Sequence, residues 1–478
     1  MITKFLKVVL FLCTVLSTQA IIGQSFKKNR VVVLSDIEAD PDDTESFVRL
    51  LLYSNQIEIK ALIATTSVWL RDRVEPESIR KIVRAYGKVQ PNLLKHEAGY
   101  PEAATLLSLI KTGPAKYGML GVGNGHDSEG SDYILKVLEE PDQRPLYISV
   151  WGGVNTLAQT LYKIKNTKSA NEAKRLIAKL RVYTISDQDD SGIWIRNNFP
   201  DLFYIVSPGD EYGAATWIAI NSVIKGISNN EISNRWIEEN IQQGHGPLGA
   251  LYPDVSWGME GDTPAFLNLI PNGLNNPEQP DWGGWGGRYE LLLPEILPKK
   301  GNSGVPIEKE TRPIWTDTKD YYTPYLPNPF NRTVKPDTLH YNDNKATLWR
   351  WREDFQNDFA ARIDWCIYPY QKANHPPIVR LNQSETLKLK SGEKIRISAA
   401  GSSDPDGDHL SFLWFNYPEA GSYKQYVKID SPENGESIWL EAPAVTKTET
   451  VHFILKVTDK GSPNLTRYKR IILEVSPK

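Results

Sequence analysis

Val31-Val32-Val33-Leu34-Ser35-Asp36-Ile37-Glu38-Ala39-Asp40-Pro41-Asp42-Asp43 joins an unbroken apolar run to five acids in eight residues. The run has no polar alternation, so it reads as a strand buried on both faces, as in a parallel sheet covered by helices. Asp36 then stands at the carboxyl end of that strand, where open α/β sheets bind ligands. Asp40-Pro41 reads as a helix start, with Asp40 as N-cap and Pro41 at the first helical position. Asp42 and Asp43 fall in the first turn, where the helix dipole favours negative charge. Capping explains Asp40 and one neighbour but not five acids. Like charges packed at a strand end must raise one another's pKa or be neutralised. A hard cation with oxygen ligands does this, and carboxylates select calcium or magnesium over zinc.

The pattern extends on either side. Ile59 to Thr65, Leu146 to Trp151 and Val182 to Ser186 read as further buried strands, with helical periodicity in Glu77 to Val83 and Ser131 to Leu138 between them. Strands alternating with helices predict an α/β fold, a doubly wound, mostly parallel sheet. Gly273 to Asn344, rich in Pro, Gly, Asn and Trp, reads as long ordered loops. Trp349 to Trp365 reads as a closing helix. Past Asn374-His375-Pro376-Pro377 short alternating strands follow (Leu387 to Leu389, Lys394 to Ile397, Leu410 to Phe415, Val451 to Val457), and predict an immunoglobulin-like β-sandwich.

At the other end, Lys4 and Lys7 precede the apolar run Val8 to Leu16 and then Ser17-Thr18-Gln19-Ala20. The run is too short to span a bilayer and reads as a secretory signal peptide. The expected organisation is therefore a signal peptide over 1–24, an α/β domain over 25–372 and a sandwich over 373–478, in an exported protein with no membrane span. Of the two cysteines only Cys366 survives cleavage, which excludes an intrachain disulfide. A net charge of −3 with 24% charged residues points neither to nucleic acid nor to an acidic membrane surface. Fourteen Trp and 22 Tyr exceed what a core needs and suit stacking on sugar rings.

The strand followed by Asp36-x-Glu38-x-x-x-Asp42-Asp43 resembles the signature of calcium-dependent nucleoside hydrolases. That resemblance implies Asp36 as general base and metal ligand, Asp43 as a chelator through both oxygens and Asp42 as a ribose-hydroxyl holder. Glu38 replaces the usual second Asp. Val150-Trp151-Gly152-Gly153-Val154-Asn155-Thr156-Leu157-Ala158 resembles the segment that lends the metal a backbone carbonyl, here that of Trp151. Met259-Glu260-Gly261-Asp262-Thr263-Pro264 resembles the segment of the last metal carboxylate, here Asp262; alone it reads equally well as a helix start. These segments, with Asp127-Ser128-Glu129-Gly130-Ser131 and Ser186-Asp187-Gln188-Asp189-Asp190-Ser191-Gly192, are closer still to a secreted subgroup of that fold which includes a cellulose-binding protein.

The resemblance implies a metal-assisted glycosyl hydrolase using Ca2+. Its expected ligand is a carbohydrate or nucleoside-like small substrate, with plant polysaccharide fragments as one source. It also implies substrate contacts at Asp42, Glu129, Asn155, Trp194 and Asn198. The His that protonates a purine in nucleoside hydrolases is Gly261 here, so the nucleobase loses support. Glu260, Asp189 or Glu129 could serve as the acid instead; each also has an ordinary hydrogen-bonding role open to it. His126 and His245 read first as structural. Trp194, Trp282 and Trp285 fit sugar stacking or loop packing. Asp404, Asp406 and Asp408 read as a tight turn, with a second calcium as the alternative. A non-catalytic carbohydrate-binding protein on the same scaffold is the rival reading.

Overall fold

The computed structural model describes residues 27–209, 212–213, 215–294, 304–305, 307–324, 339–429 and 435–478. The proposed signal peptide lies outside the described residues. No helix among those described is long and apolar enough to cross a membrane.

Eight strands form the main sheet: β1 Asn29–Ser35, β2 Ile57–Ala64, β3 Ile110–Thr112, β4 Leu146–Val150, β5 Leu180–Ser186, β6 Phe203–Ser207, β7 Tyr289–Leu292 and β8 Ile314–Asp317. Their order is β3-β2-β1-β4-β5-β6-β8-β7, with every pairing parallel except β7 on β8. The double burial read from Val31 to Leu34 is literal. Val31 and Val33 enter one core cluster, Val32 and Leu34 the cluster on the opposite face. Helices α1 (Asp42–Leu52) and α2 (Pro76–His96) cover the first face. Helices α4 (Glu129–Glu139) and α5 (Asn155–Thr167), which follow the short α3 (Ala103–Ser108), cover the second.

Two readings need correction. Gly273 to Asn344 is not loop throughout: it supplies β7 and β8, and a ribbon of β9 (Asp320–Tyr322) and β10 (Tyr341–Asp343). Strands of three or four residues among Pro and Gly carry too little periodicity to show. The helix start is shifted by one, as helix ends commonly are. Pro41 takes the N-cap place, while the Asp40 side chain still accepts the Asp42 N–H at 3.0 Å from outside the helix.

The C-terminal part is all-β. One sheet orders β11 (Thr386–Lys390), β16 (Thr466–Ser476), β15 (Glu449–Thr458) and β13 (Ser411–Asn416); a second pairs β12 (Lys394–Ser398) with β14 (Ser437–Glu441). Ile397, Ile438, Trp414, Phe453 and Leu473 fill the core between them. The helix Arg352–Asp364 joins the two halves: its Asp354 and Asp358 pair with Lys456 and Arg467 of the sandwich, each at 2.6 Å.

Candidate functional site

The sheet order reverses between β1 and β4, and the carboxyl ends of these two strands open a crevice. A cavity of about 470 Å³ fills it, walled by Asp36, Asp40, Asp42, Asp43, Trp151 and Asp262. Asp42 and Asp43 come from the first turn of α1, and Asp36 and Asp40 from the turn between β1 and α1. Glu38, at φ 79°, takes the left-handed conformation that turns the chain there, and its own side chain faces solvent. Asp262 arrives from more than 200 residues downstream.

Three of the acids are held from behind. Ser35 Oγ donates to Asp43 Oδ1 at 2.5 Å. The Trp217 indole N–H donates to Asp42 Oδ2 at 2.9 Å. Asp36 lies flat on Gly152, where a Cβ would stand 2.4 Å from Oδ1, so only glycine lets the carboxylate sit there. Asp40, Asp42 and Asp43 can bring one oxygen each within 4.8 Å of one another. Asp40, read as a cap, thus belongs to the cluster as well.

The electrostatics follow from that crowding. Burial, and behind it the neighbouring Asp40 and Asp189, push the Asp36 carboxyl up to about 7, against a lowering hydrogen bond from Ser67. Burial also lifts Asp42, Asp43 and Asp262 well above the carboxylate range, and each is pushed further by another member: Asp262 on Asp42, Asp36 on Asp43, Asp43 on Asp262. Asp262 Oδ2 is buried with no hydrogen-bond partner. Acids that repel one another around an orphaned oxygen suit a cation. The Trp151 carbonyl accepts the side-chain N–H of Gln188, which leaves its second lone pair.

Other expected site residues lie elsewhere. Glu260 is fully buried in an ion pair with Arg49 at 2.6 Å and does not line the cavity, so it is withdrawn as the acid. Glu129 sits at the start of α4, paired with Lys111 at 2.9 Å. Trp194 packs edge-on against Phe199, and Asn198 binds Lys165 and the Trp194 carbonyl. Asn155 is buried, its amide donating to Thr66 Oγ1 and the Lys116 carbonyl. Asp189, pushed up by burial to about 7, lies one layer behind the cavity; its Oδ1 accepts the N–H and O–H of Ser191 and its Oδ2 the Asn155 N–H. Trp285 is fully buried, and Trp282 meets His452 edge-on. His245 pairs with Asp364.

The aromatic rim is a different set. Trp69, Tyr212, Trp217 and Trp257 ring the cavity mouth, with Trp69 53% and Trp257 78% exposed. Trp217 also explains the missing His. A Cβ on Gly261 would stand 2.0 Å from the Trp217 indole nitrogen, so the indole occupies the space of any side chain at 261. No motif marks these four in the sequence. The available signal is position, since Trp69 lies a few residues beyond the carboxyl end of β2.

Comparison with known proteins follows the same division of the chain. The family model "Cellulose-binding Sde182, nucleoside hydrolase-like domain" matches residues 30–289, and "Cellulose-binding protein Sde0182, C-terminal domain" matches 394–475. A nucleoside hydrolase-related hypothetical protein from Saccharophagus degradans, associated with carbohydrate metabolism, is 34% identical and superposes with a TM-score of 0.78 over 94% of this chain and 100% of its own. The PKD domain from KIAA 1837 protein is 18% identical over 20% of this chain and 86% of its own, at a TM-score of 0.16 that carries no argument. No curated protein matches the chain. With the α/β domain and the C-terminal domain both matched, the chain belongs to the Sde182 family of nucleoside hydrolase-like, cellulose-binding proteins.

Proposed function

We propose that the cavity binds one calcium ion and one sugar together, and that the protein hydrolyses an N- or O-glycosidic bond of a furanosyl or related sugar. The observation that carries this reading is the buried, partnerless Asp262 Oδ2 facing acids that raise one another's pKa. Asp36, Asp43, Asp262 and the Trp151 carbonyl would hold the ion, with Asp40 within reach. Bound there, calcium supplies the positive charge that polarises a water and the sugar hydroxyls.

The side chains divide the remaining work. Asp36, desolvated and pinned over Gly152, accepts the proton of an attacking water. Asp42, anchored by Trp217 through Oδ2 on the cavity wall, accepts a sugar hydroxyl. The carboxylate field stabilises positive charge developing at the anomeric carbon. The export inferred for Lys4 to Ala20 suits a substrate released from plant polysaccharide outside the cell.

One observation favours the non-catalytic reading. With Glu260 locked to Arg49, the acids on the described cavity wall are those proposed for the cation and the sugar hydroxyl, and none stands apart to protonate a leaving group. Screening the protein against nucleosides, aryl glycosides and polysaccharide fragments, with calcium and with chelator, separates the two. Calcium-dependent turnover lost in Asp36→Asn supports the hydrolase. Turnover indifferent to both contradicts the mechanism, and calcium-dependent binding without turnover favours the binding protein.

A further inference from the structure

Two loops of the C-terminal domain each use one carboxylate oxygen on their own turn. Asp404 Oδ1 accepts the backbone N–H of Asp406 at 2.8 Å and of Asp408 at 3.1 Å. Asp459 Oδ1 accepts the N–H of Gly461 at 3.0 Å, of Leu465 at 2.9 Å and of the Asn374 side chain at 3.1 Å. The second oxygens differ. Asp404 Oδ2 and Asp459 Oδ2 are both buried, and neither has a hydrogen-bond partner. Asp459 is 0% exposed. A turn accounts for Oδ1 in each loop, but not for a bare, buried Oδ2 in both.

The two loops meet at the chain segment that enters the domain. Asn374 binds Asp459 and donates to the Pro463 carbonyl at 2.7 Å. The next residue, His375, donates its backbone N–H to Asp406 Oδ2 at 2.7 Å, and its ring Nδ1 faces Asp406 at 3.0 Å. Asp406 is therefore engaged, and Asp404 and Asp459 carry the bare oxygens. Burial raises the Asp459 carboxyl above its usual range, and Asp404 adds to the rise.

We infer that Asp404 Oδ2 and Asp459 Oδ2 hold a divalent cation of the calcium class, which ties the segment starting at Asn374 to both loops of the sandwich. Carboxylate oxygens select calcium or magnesium over zinc, and calcium's larger, looser shell is the less demanding of the two in geometry. The ion would sit at the joint between the halves, since the Asn374 carbonyl accepts the Trp365 indole N–H at 2.9 Å from the end of the helix Arg352–Asp364.

Bound calcium can be counted by equilibrium dialysis on the full-length, chelator-stripped protein. Asp404→Asn keeps the Oδ1 acceptor of the turn and removes the charge; Asp404→Ser is a second variant that keeps an oxygen. Each is expected to bind one calcium fewer per chain than the unaltered protein, and Asp43→Asn is expected to retain the ion that Asp404→Asn loses. Equal counts in the unaltered protein and both Asp404 variants would overturn the inference, as would an Asp43→Asn chain that binds none. A count unchanged by Asp43→Asn but lowered by Asp404→Asn speaks against the acidic-loop site alone.

Discussion

The Arg49 guanidinium closes on the Glu260 carboxylate at 2.6 Å, with neither side chain exposed. Glu260 Oε1 also accepts the Tyr252 hydroxyl at 2.8 Å, while Arg49 donates to the Phe355 carbonyl at 3.0 Å and to Gln356. Arg49 belongs to α1, whose first residues are Asp42 and Asp43; Glu260 stands two residues before Asp262. The pair thus fixes the distant Asp262 segment against the acidic turn. Glu260 itself, at φ 51°, holds a strained backbone conformation at that join.

A structural role predicts a stability defect. Glu260→Gln leaves the buried Arg49 charge uncompensated and should lower unfolding free energy by about 3–5 kcal/mol in chemical denaturation. Calcium affinity per folded molecule should fall as well, because the pair that seats Asp262 against the acidic turn is broken. A variant of unchanged stability that loses turnover would instead return Glu260 to the role of acid.

Trp69 and Trp257 are large apolar side chains left open at the mouth of a polar cavity. If they stack on a sugar, truncating either to Ala should weaken binding by roughly 1–2 kcal/mol, about tenfold, with calcium affinity unchanged. Titration calorimetry with an arabinofuranoside or ribose derivative and with calcium reads both.

A side chain at Gly261 would enter the space of the Trp217 indole. Gly261→Ala should displace that indole and release its hydrogen bond to Asp42. The expected result is sugar binding weakened roughly tenfold, about 1.4 kcal/mol, in a folded protein whose near-ultraviolet Trp signal has changed. An unchanged affinity would show that Trp217 does not position Asp42.

Asp358 links the two halves of the chain. Burial raises its carboxyl, but Arg467 and Arg362 outweigh burial and bring it down to about 2. Unfolded, an Asp titrates near about 3.9, so the folded state takes up this proton at lower pH than the unfolded state. Its stabilisation is therefore complete above about pH 4 and is lost as pH falls through the folded value near 2. Between pH 5 and 2 the unaltered protein should lose roughly 2 kcal/mol more stability than Asp358→Asn. Parallel curves for the two would contradict the assignment.

What could be read beforehand depended on how local the cause was. Val31 to Ser35 announces a buried strand by composition, and Asp36, Asp42 and Asp43 follow from where that strand ends. Asp262 and Trp151 were reached through resemblance, and both line the cavity. The expected residues that lie away from the cavity share one cause. Glu260, Glu129 and Asn198 are polar residues in suggestive segments, yet Arg49, Lys111 and Lys165 engage them from remote positions that no local pattern reveals. The same holds for Trp217, whose meaning depends on a glycine far along the chain.

A cation and a sugar that share one site must each tighten the other's binding. The direct measurement is the equilibrium affinity for an arabinofuranoside or ribose derivative at saturating calcium and in chelator, repeated with Asp43→Asn. Sugar binding should be at least tenfold tighter with calcium, with none of that gain in Asp43→Asn. Equal affinity with and without calcium would rule out a shared site.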